Sequence, residues 1–390
     1  AERILRGKMN CRICGSLITE SVVNLGNVPL VNNLADSPLE PVKRYPLDVV
    51  FCETCNVAQL RDNVPPEEMF SEYLFYSSVM RPVVERAKAL VNKVVAQHAP
   101  HFVIEIASND GYLLEAYRWH GVETLGVDPA KGPANAAAIK GIPTVQEFFS
   151  LALAKTLPKA DVVHANNVLA HVPDPNDFVA GIAEVLKPQG ICFVEVPYLG
   201  DLLVGAHFDT IYHEHLFYHS IKSLVTLFGR HGLLVTKVER LPDVLGGSLR
   251  ISVEKFGVIT KEVDAYLNPS EMQRRTDYYA PELRNTLTQL KAQGRRVWGF
   301  GAAAKTTVFL NYAGITDDLL EAVADDTPAK QGKYIPGTAF QVRSSQEWLA
   351  AQPDYTCIFT WNYAQVIAHK FATTYKGKFF TSMLTDFAAL

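Results

Sequence analysis

The spacing of apolar positions changes character along the chain. Residues 9–65 carry short apolar runs broken by prolines, as expected of a small fold that cannot bury enough surface unaided. From 83 to 95 apolar residues recur three and four apart, which predicts a helix. Strands and helices then alternate, with strands at 102–106, 124–127, 161–165 and 190–196 and a closing pair at 233–238 and 249–253 patterned as an antiparallel hairpin. That succession predicts a doubly wound α/β sheet. A polar helical stretch over 269–293 ends at Gly294, and a strand at 296–300 opens a second alternating unit. The chain therefore divides into 9–65, 66–268 and 269–390, and residues 1–8 read as a flexible leader or an appended remnant ahead of Met9.

Composition narrows the partners. At 390 residues, 48% hydrophobic and 20% charged, the chain has the length for two or three cores. A net charge of −4 with both signs interspersed offers no basic stripe for nucleic acid, and no apolar run reaches the roughly 18 residues that span a bilayer. Neither partner is expected, and a cytoplasmic location is the default. Of six cysteines, Cys192 and Cys357 sit alone in apolar runs, whereas Cys11, Cys14, Cys52 and Cys55 form two Cys-x-x-Cys pairs. Two such turns supply the four thiolates of a tetrahedral structural zinc site. The 37 residues between the pairs exceed the usual zinc-ribbon spacing, and redox Cys-x-x-Cys chemistry is the competing reading.

The first predicted strand of the middle region contains Glu105 and runs into Ala107-Ser108-Asn109-Asp110-Gly111 ahead of a helix. Strand, small-residue turn and helix make a nucleotide-type cradle. With one glycine and with Glu105 and Asp110 at the turn, a pyrophosphate would meet negative charge, which argues against NAD. A cationic cofactor without phosphates, S-adenosylmethionine, fits better, and Asp128 at the end of the next strand is placed to accept ribose hydroxyls. A capped turn without a ligand is the plain alternative. Downstream, Asp161 starts a strand that leaves through Asn166-Asn167-Val-Leu-Ala-His171, followed by a Leu-Lys-Pro-x-Gly turn at 186–190. That order looks like the class I methyltransferases. Proton chemistry is concentrated at Tyr212-His213-Glu214-His215, with Tyr218 and His219 close behind. A Gly299-x-Gly301 turn lacks the third glycine of a dinucleotide site, and Lys305 and Asp325-Asp326 follow it.

Taken with Gly246-Gly247-Ser248-Leu249-Arg250 and Gly299-Phe300-Gly301-Ala302-Ala303-Ala304-Lys305, these motifs resemble the zinc-containing sugar C-methyltransferases, from Cys11 to about Trp361-Asn362. That family acts on nucleotide-linked 4-keto-6-deoxy sugars. The resemblance implies a class I methyltransferase Rossmann-like core flanked by a small amino-terminal zinc module and a carboxy-terminal Rossmann-like α/β domain, enclosing the sugar nucleotide between them; three domains can close a site without a partner, so a monomer is expected. It implies His215 as the base with Tyr212 second, Glu214 orienting an imidazole or a sugar hydroxyl, His171 donating to the enolate oxygen, and Tyr76 holding the sulfonium. Cofactor contacts would come from Glu105, Ser108, Asn109, Asp110, Gly111, Asp128, Asn166, Asn167, Tyr76 and Ser78. Substrate contacts would come from Arg250, Lys305, Asn311, Trp361 and Asn362, with thymidine or guanosine diphosphate as the nucleotide and C3, or else C5, as the acceptor carbon. His213 and His219 are expected to face solvent or cap a helix, and Tyr218 to pack. The chain departs from the family at Ala107, where glycine is expected, and at Leu245, where histidine is. Three rivals stay open: O- or N-methylation, an NAD-dependent epimerase or reductase, and a zinc-stapled binding protein with an inactive core.

Overall fold

The computed structural model describes residues 8–65, 68–69, 76–79, 81–244, 246–264 and 267–383. The 1–7 part of the expected leader, Tyr73 and Leu245 lie outside them. In the amino-terminal region, β1 (Met9–Asn10) and β2 (Leu17–Ile18) pair around the first cysteine turn, and β3 (Ser21–Pro29), β4 (Arg44–Cys52) and β5 (Val57–Leu60) form an antiparallel sheet with the second cysteine turn between β4 and β5. Both turns close alike. The Gly15 N–H reaches the Cys11 carbonyl at 2.9 Å and the Asn56 N–H the Cys52 carbonyl at 2.7 Å. Gly15 and Asn56 both adopt left-handed backbone, at φ 82° and 60°, a conformation these two residue types tolerate.

The middle region contributes β6 (Phe102–Ile106), β7 (Glu123–Val127), β8 (Thr144–Val145), β9 (Ala160–Asn166), β10 (Leu186–Pro197), β11 (Phe217–Tyr218), β12 (Leu234–Leu241) and β13 (Ser248–Glu254). All but β11 join one seven-stranded sheet in the order β12-β13-β10-β9-β6-β7-β8. Its pairings are parallel except those of β13, which runs antiparallel to both neighbours. The helix Arg81–His98 covers one face, burying Leu90, Val91 and Val94 as its apolar spacing predicts. Residues 186–190, expected as a turn, begin β10 instead and pass through a bulge before Ile191. Gly190 permits this, because a Cβ there would stand 3.0 Å from the carbonyl oxygens of Ala160 and Asp161.

Strand β11 does not belong to that sheet. It pairs antiparallel with β5, Phe217 opposite Gln59 and Tyr218 opposite Ala58, so the segment after His215 completes the sheet of the zinc module. The carboxy-terminal region follows the helix Met272–Ala292 and holds β14 (Val297–Phe300), β15 (Val323–Ala324), β16 (Val342–Arg343), β17 (Tyr355–Ile358) and β18 (Lys378–Thr381), all parallel, in the order β16-β15-β14-β17-β18. One apolar cluster runs through all three regions, from Cys11 and Leu47 through Val194 and Phe208 to Phe309 and Met383. The site lies where they meet.

Candidate active site

The four paired cysteines converge. Their sulfurs lie within 4.8 Å of one another, Cys11 Sγ and Cys55 Sγ at 3.7 Å and Cys14 Sγ and Cys52 Sγ at 3.5 Å. With zinc–sulfur bonds of about 2.3 Å, a tetrahedron has sulfur–sulfur edges of about 3.8 Å. The two closest contacts cross between the pairs, which suits one shared ion rather than a redox pair within a single Cys-x-x-Cys turn. Three of the four are buried, and no ligand position is left for solvent chemistry.

The acidic turn after β6 is tightly wound. Ala107, Asn109 and Gly111 have φ of 57°, 50° and 75°, so alanine occupies a left-handed position where glycine was expected. The Asn109 N–H donates to Asp128 Oδ2 and the Ala130 N–H to Asp128 Oδ1, both at 2.8 Å, fixing the carboxylate at the end of β7. Ser77 N–H donates to Asn109 Oδ1 at 2.8 Å and Ser78 N–H to Asp110 Oδ1 at 3.3 Å, which brings the 76–79 segment over the turn. A Cβ on Gly132 would stand 2.7 Å from the Tyr76 hydroxyl, so Tyr76 sits at the start of the helix Lys131–Ile139. Glu105 is buried and its carboxyl is pushed well up, first by desolvation and then by Asp128 and Asp110. Glu105 Oε2, Ser108 Oγ, Asn166 Oδ1 and Asn167 Oδ1 are buried without a hydrogen-bond partner among the described residues. The ammonium, ribose hydroxyls and adenine amine of S-adenosylmethionine are donors for these oxygens, whereas a phosphate has none to give the Glu105, Asn166 and Asn167 oxygens; the residues fit S-adenosylmethionine.

The proton-carrying segment is pinned on both sides: the Leu216 N–H donates to the Ala170 carbonyl at 2.7 Å, and the Leu60 N–H to the Leu216 carbonyl at 2.9 Å. This sets the His171 and His215 rings edge to face at 4.8 Å between centroids, with the Tyr212 hydroxyl 3.1 Å from His215 Nε2. Both imidazoles are half-buried yet packed closely enough to be desolvated. Desolvation lowers His171 to about 4 and holds His215 well below its ordinary value, with His171 and Lys305 lowering His215 further, so both rings are neutral at pH 7. Glu214 moves the other way, raised to about 7 by burial against a hydrogen bond from Asn32.

His213 and His219 do not face solvent. His213 packs edge-on against Tyr45 with Nε2 3.2 Å from the Tyr45 carbonyl, and His219 is fully buried with Nδ1 3.3 Å from Ser223 Oγ, inside the cap of the helix Ile221–Gly229. The pairing of β11 draws both inward. Tyr218 is buried within the apolar core, as expected.

Of the substrate-contact candidates, three come together. Lys305 Nζ donates to Asn362 Oδ1 at 2.7 Å and lies 4.3 Å above the Trp361 ring, and its charge bears on His215. Trp361 also stacks on His207 at 4.1 Å and donates from Nε1 to Asp209 Oδ2 at 2.9 Å. His207 and Asp209, just ahead of the Tyr212 segment, had no signal in the sequence beyond being polar. Asn311 and Arg250 lie apart. The Asn311 amide donates to the Thr307 and Pro336 carbonyls and lines a cavity of about 460 Å³ with Arg44 and Gly337, whereas Arg250 pairs with Glu195 at 2.7 Å. The glycine turn after β14 is filled by its own chain: Asp325 accepts from the Ala302 and Thr327 N–H groups, and Lys330 donates to the Ala302 carbonyl.

A seven-stranded sheet with its one reversed strand next to an edge and an acidic turn suited to a sulfonium cofactor define a class I S-adenosylmethionine-dependent methyltransferase. Family models match along the chain: a zinc binding domain over residues 11–70, a methyltransferase domain over 78–238 and a C-methyltransferase C-terminal domain over 243–383. C-methyltransferase NovU of Streptomyces niveus is 32% identical over 391 residues, covering 93% of this chain and 92% of that protein. The chain belongs to this family of zinc-containing C-methyltransferases. A ubiquinone biosynthesis O-methyltransferase of Proteus mirabilis is 31% identical over 117 residues, 28% of this chain and 44% of that one. A solved magnesium protoporphyrin IX methyltransferase from Synechocystis with bound SAM matches at TM-score 0.35 and 14% identity, covering 44% of this chain and 78% of that one.

Proposed function

We propose that the methyl acceptor is C3 of a nucleotide-diphosphate-linked 4-keto-6-deoxy sugar, activated by base-catalysed enolate formation. The observation that carries this reading is the contact of Tyr212 and His171 with a neutral His215. A sugar carbon becomes nucleophilic only by losing a proton next to a carbonyl, and a neutral imidazole can take that proton at pH 7. His215 removes it, while Tyr212 fixes the orientation of Nε2 and is the second candidate for the base. His171, neutral and therefore carrying one donor nitrogen, faces the enolate oxygen, where a fixed donor is most effective. Glu214 orients a sugar hydroxyl. Bound S-adenosylmethionine supplies a methyl group already activated on sulfur. Asp128 would hold its ribose, Glu105, Ser108, Asn109, Asp110, Gly111, Asn166 and Asn167 would meet its amino acid end, and Tyr76 and Ser78 would add contacts from the segment beside the turn.

Lys305, Trp361 and Asn362 then meet the diphosphate or the sugar. Arg250 and Asn311 act at second hand, Arg250 through Glu195, whose Oε1 stands 3.4 Å from the Asn167 amide, and Asn311 by holding the 336 loop. Three regions of one chain can close such a site without a partner, and the reading takes the enzyme as a monomer.

The test incubates thymidine- and guanosine-diphospho-4-keto-6-deoxyglucose with the protein and methyl-deuterated S-adenosylmethionine in heavy water, and locates both labels by mass spectrometry. A methyl group on C3 of the product, with deuterium at C3 of the recovered unmethylated substrate, is expected for one nucleotide. Methyl on C5, or on oxygen or nitrogen without exchange, overturns the assignment. His215→Asn is expected to abolish exchange and transfer together, and near-normal turnover by a folded variant rules His215 out as the base.

A further inference from the structure

A loop of the zinc module reaches the proton-carrying segment. After β3 the chain runs through residues 30–36, a loop held from outside by the carboxy-terminal region: Thr307 Oγ1 donates to the Val31 carbonyl at 3.3 Å, Ala35 and Tyr334 exchange backbone hydrogen bonds at 3.0 and 2.7 Å, and Lys333 pairs with Asp36 at 2.6 Å. Between these anchors Asn32 is exposed, its Nδ2 2.6 Å from Glu214 Oε1. The two residues are 182 positions apart, and Glu214 is only 9% exposed.

We propose that Asn32 is a positioning residue, delivered by the zinc module, which fixes the Glu214 carboxylate beside the base. The inference rests on the enolate reading for what Glu214 does, but not for the contact itself. An amide N–H donated to a carboxylate favours the ionised form and locks its rotamer. The groups around Glu214 leave this role to Asn32. His213 and His215 flank it, His171 faces its backbone, and Tyr45 approaches through His213; burial holds all three imidazoles below their ordinary values and Tyr45 is raised, so none is charged at neutral pH. Burial and Asn32 are accordingly the two influences on this carboxyl, acting in opposite senses.

The test compares wild type, Asn32→Ala and Asn32→Asp, each first checked for bound zinc and thermal unfolding. The Glu214 carboxyl is titrated by carbon-13 NMR on protein labelled at the glutamate carboxyl, with Glu214→Gln assigning the signal, and no substrate is needed. The midpoint is expected to rise by about half a unit to one unit in Asn32→Ala, and further in Asn32→Asp, where a like charge faces it. The acid limb of kcat/KM is expected to move by the same amount while KM for S-adenosylmethionine stays within about twofold. A midpoint unmoved by more than about 0.2 units in both variants overturns the proposal, as does an equal loss of activity at every pH. If wild-type protein methylates no keto sugar, the proposed substrate fails while the carboxyl titration still decides the role of Asn32.

Discussion

Among the site residues, Glu214 is a carboxyl raised into the neutral range. Raised from its ordinary value to about 7, it is a carboxylate only above that pH, so activity that depends on the charge rises as pH passes upward through 7. His215, held well below its ordinary value, contributes no limb there. Profiles of kcat/KM between pH 5.5 and 8.5 are therefore expected to lose the limb near 7 in Glu214→Gln, with a rate about tenfold or more lower above it. At the cofactor turn, Ala107 at φ 57° carries a left-handed penalty that glycine would not, so Ala107→Gly is expected to stabilise the fold by up to about 1 kcal/mol. Thermal unfolding measures this, and calorimetry should find S-adenosylmethionine affinity unchanged. The residues legible in the sequence are those whose chemistry shows in local spacing: Glu105 and Asp128 at strand ends, the cysteine pairs, and Tyr212 to His215. Asn32, His207 and Asp209 were not legible, because a polar residue in a loop acquires meaning only when a segment far along the chain meets it.

At the level of elements, the parallel strands β6, β7, β9 and β10 were readable because strands covered on both faces are apolar almost throughout. The two-residue strands β8, β11, β15 and β16 are too short to display any period. β11 is the costly omission, since it places the segment just after His215 in the sheet of the zinc module. Zinc removal is accordingly expected to do more than loosen residues 8–65. Metal binding in small metal-built folds contributes on the order of 10 kcal/mol, so chelation should expose the amides of β3, β4 and β5 and those of 216–218 together. Hydrogen exchange read by mass spectrometry checks this, with β6, β9 and β10 expected to stay protected while methyl transfer is lost. Exchange rising in the zinc module alone would show that β11 holds its place unaided.

Across the whole molecule, the continuous core and the Trp361 contact tie the carboxy-terminal region to the methyltransferase sheet. Trp361 fills a space cleared by Gly246, where a Cβ would stand 2.5 Å from its ring, and its Nε1 is the hydrogen-bond donor to a fully buried Asp209 whose carboxyl is raised to about 6 by desolvation. Trp361→Phe keeps most of the ring and leaves that acid without this donor, so a loss of about 1–3 kcal/mol in thermal or urea unfolding is expected. The associated rise in the Asp209 value would confine the loss mainly to pH above 6. The changing apolar period suggested three stretches; how the segments interlock was not legible, because it depends on which surfaces meet. The β5–β11 pairing has a practical corollary for anyone dissecting the protein. Severed from the rest, the zinc module would present β5 as a raw sheet border whose four side chains, Val57 to Leu60, are all buried in the intact chain. Such a border recruits whatever strand it meets, so the isolated fragment should self-associate, and a chimaera carrying another relative's module should need that relative's 216–219 stretch as well.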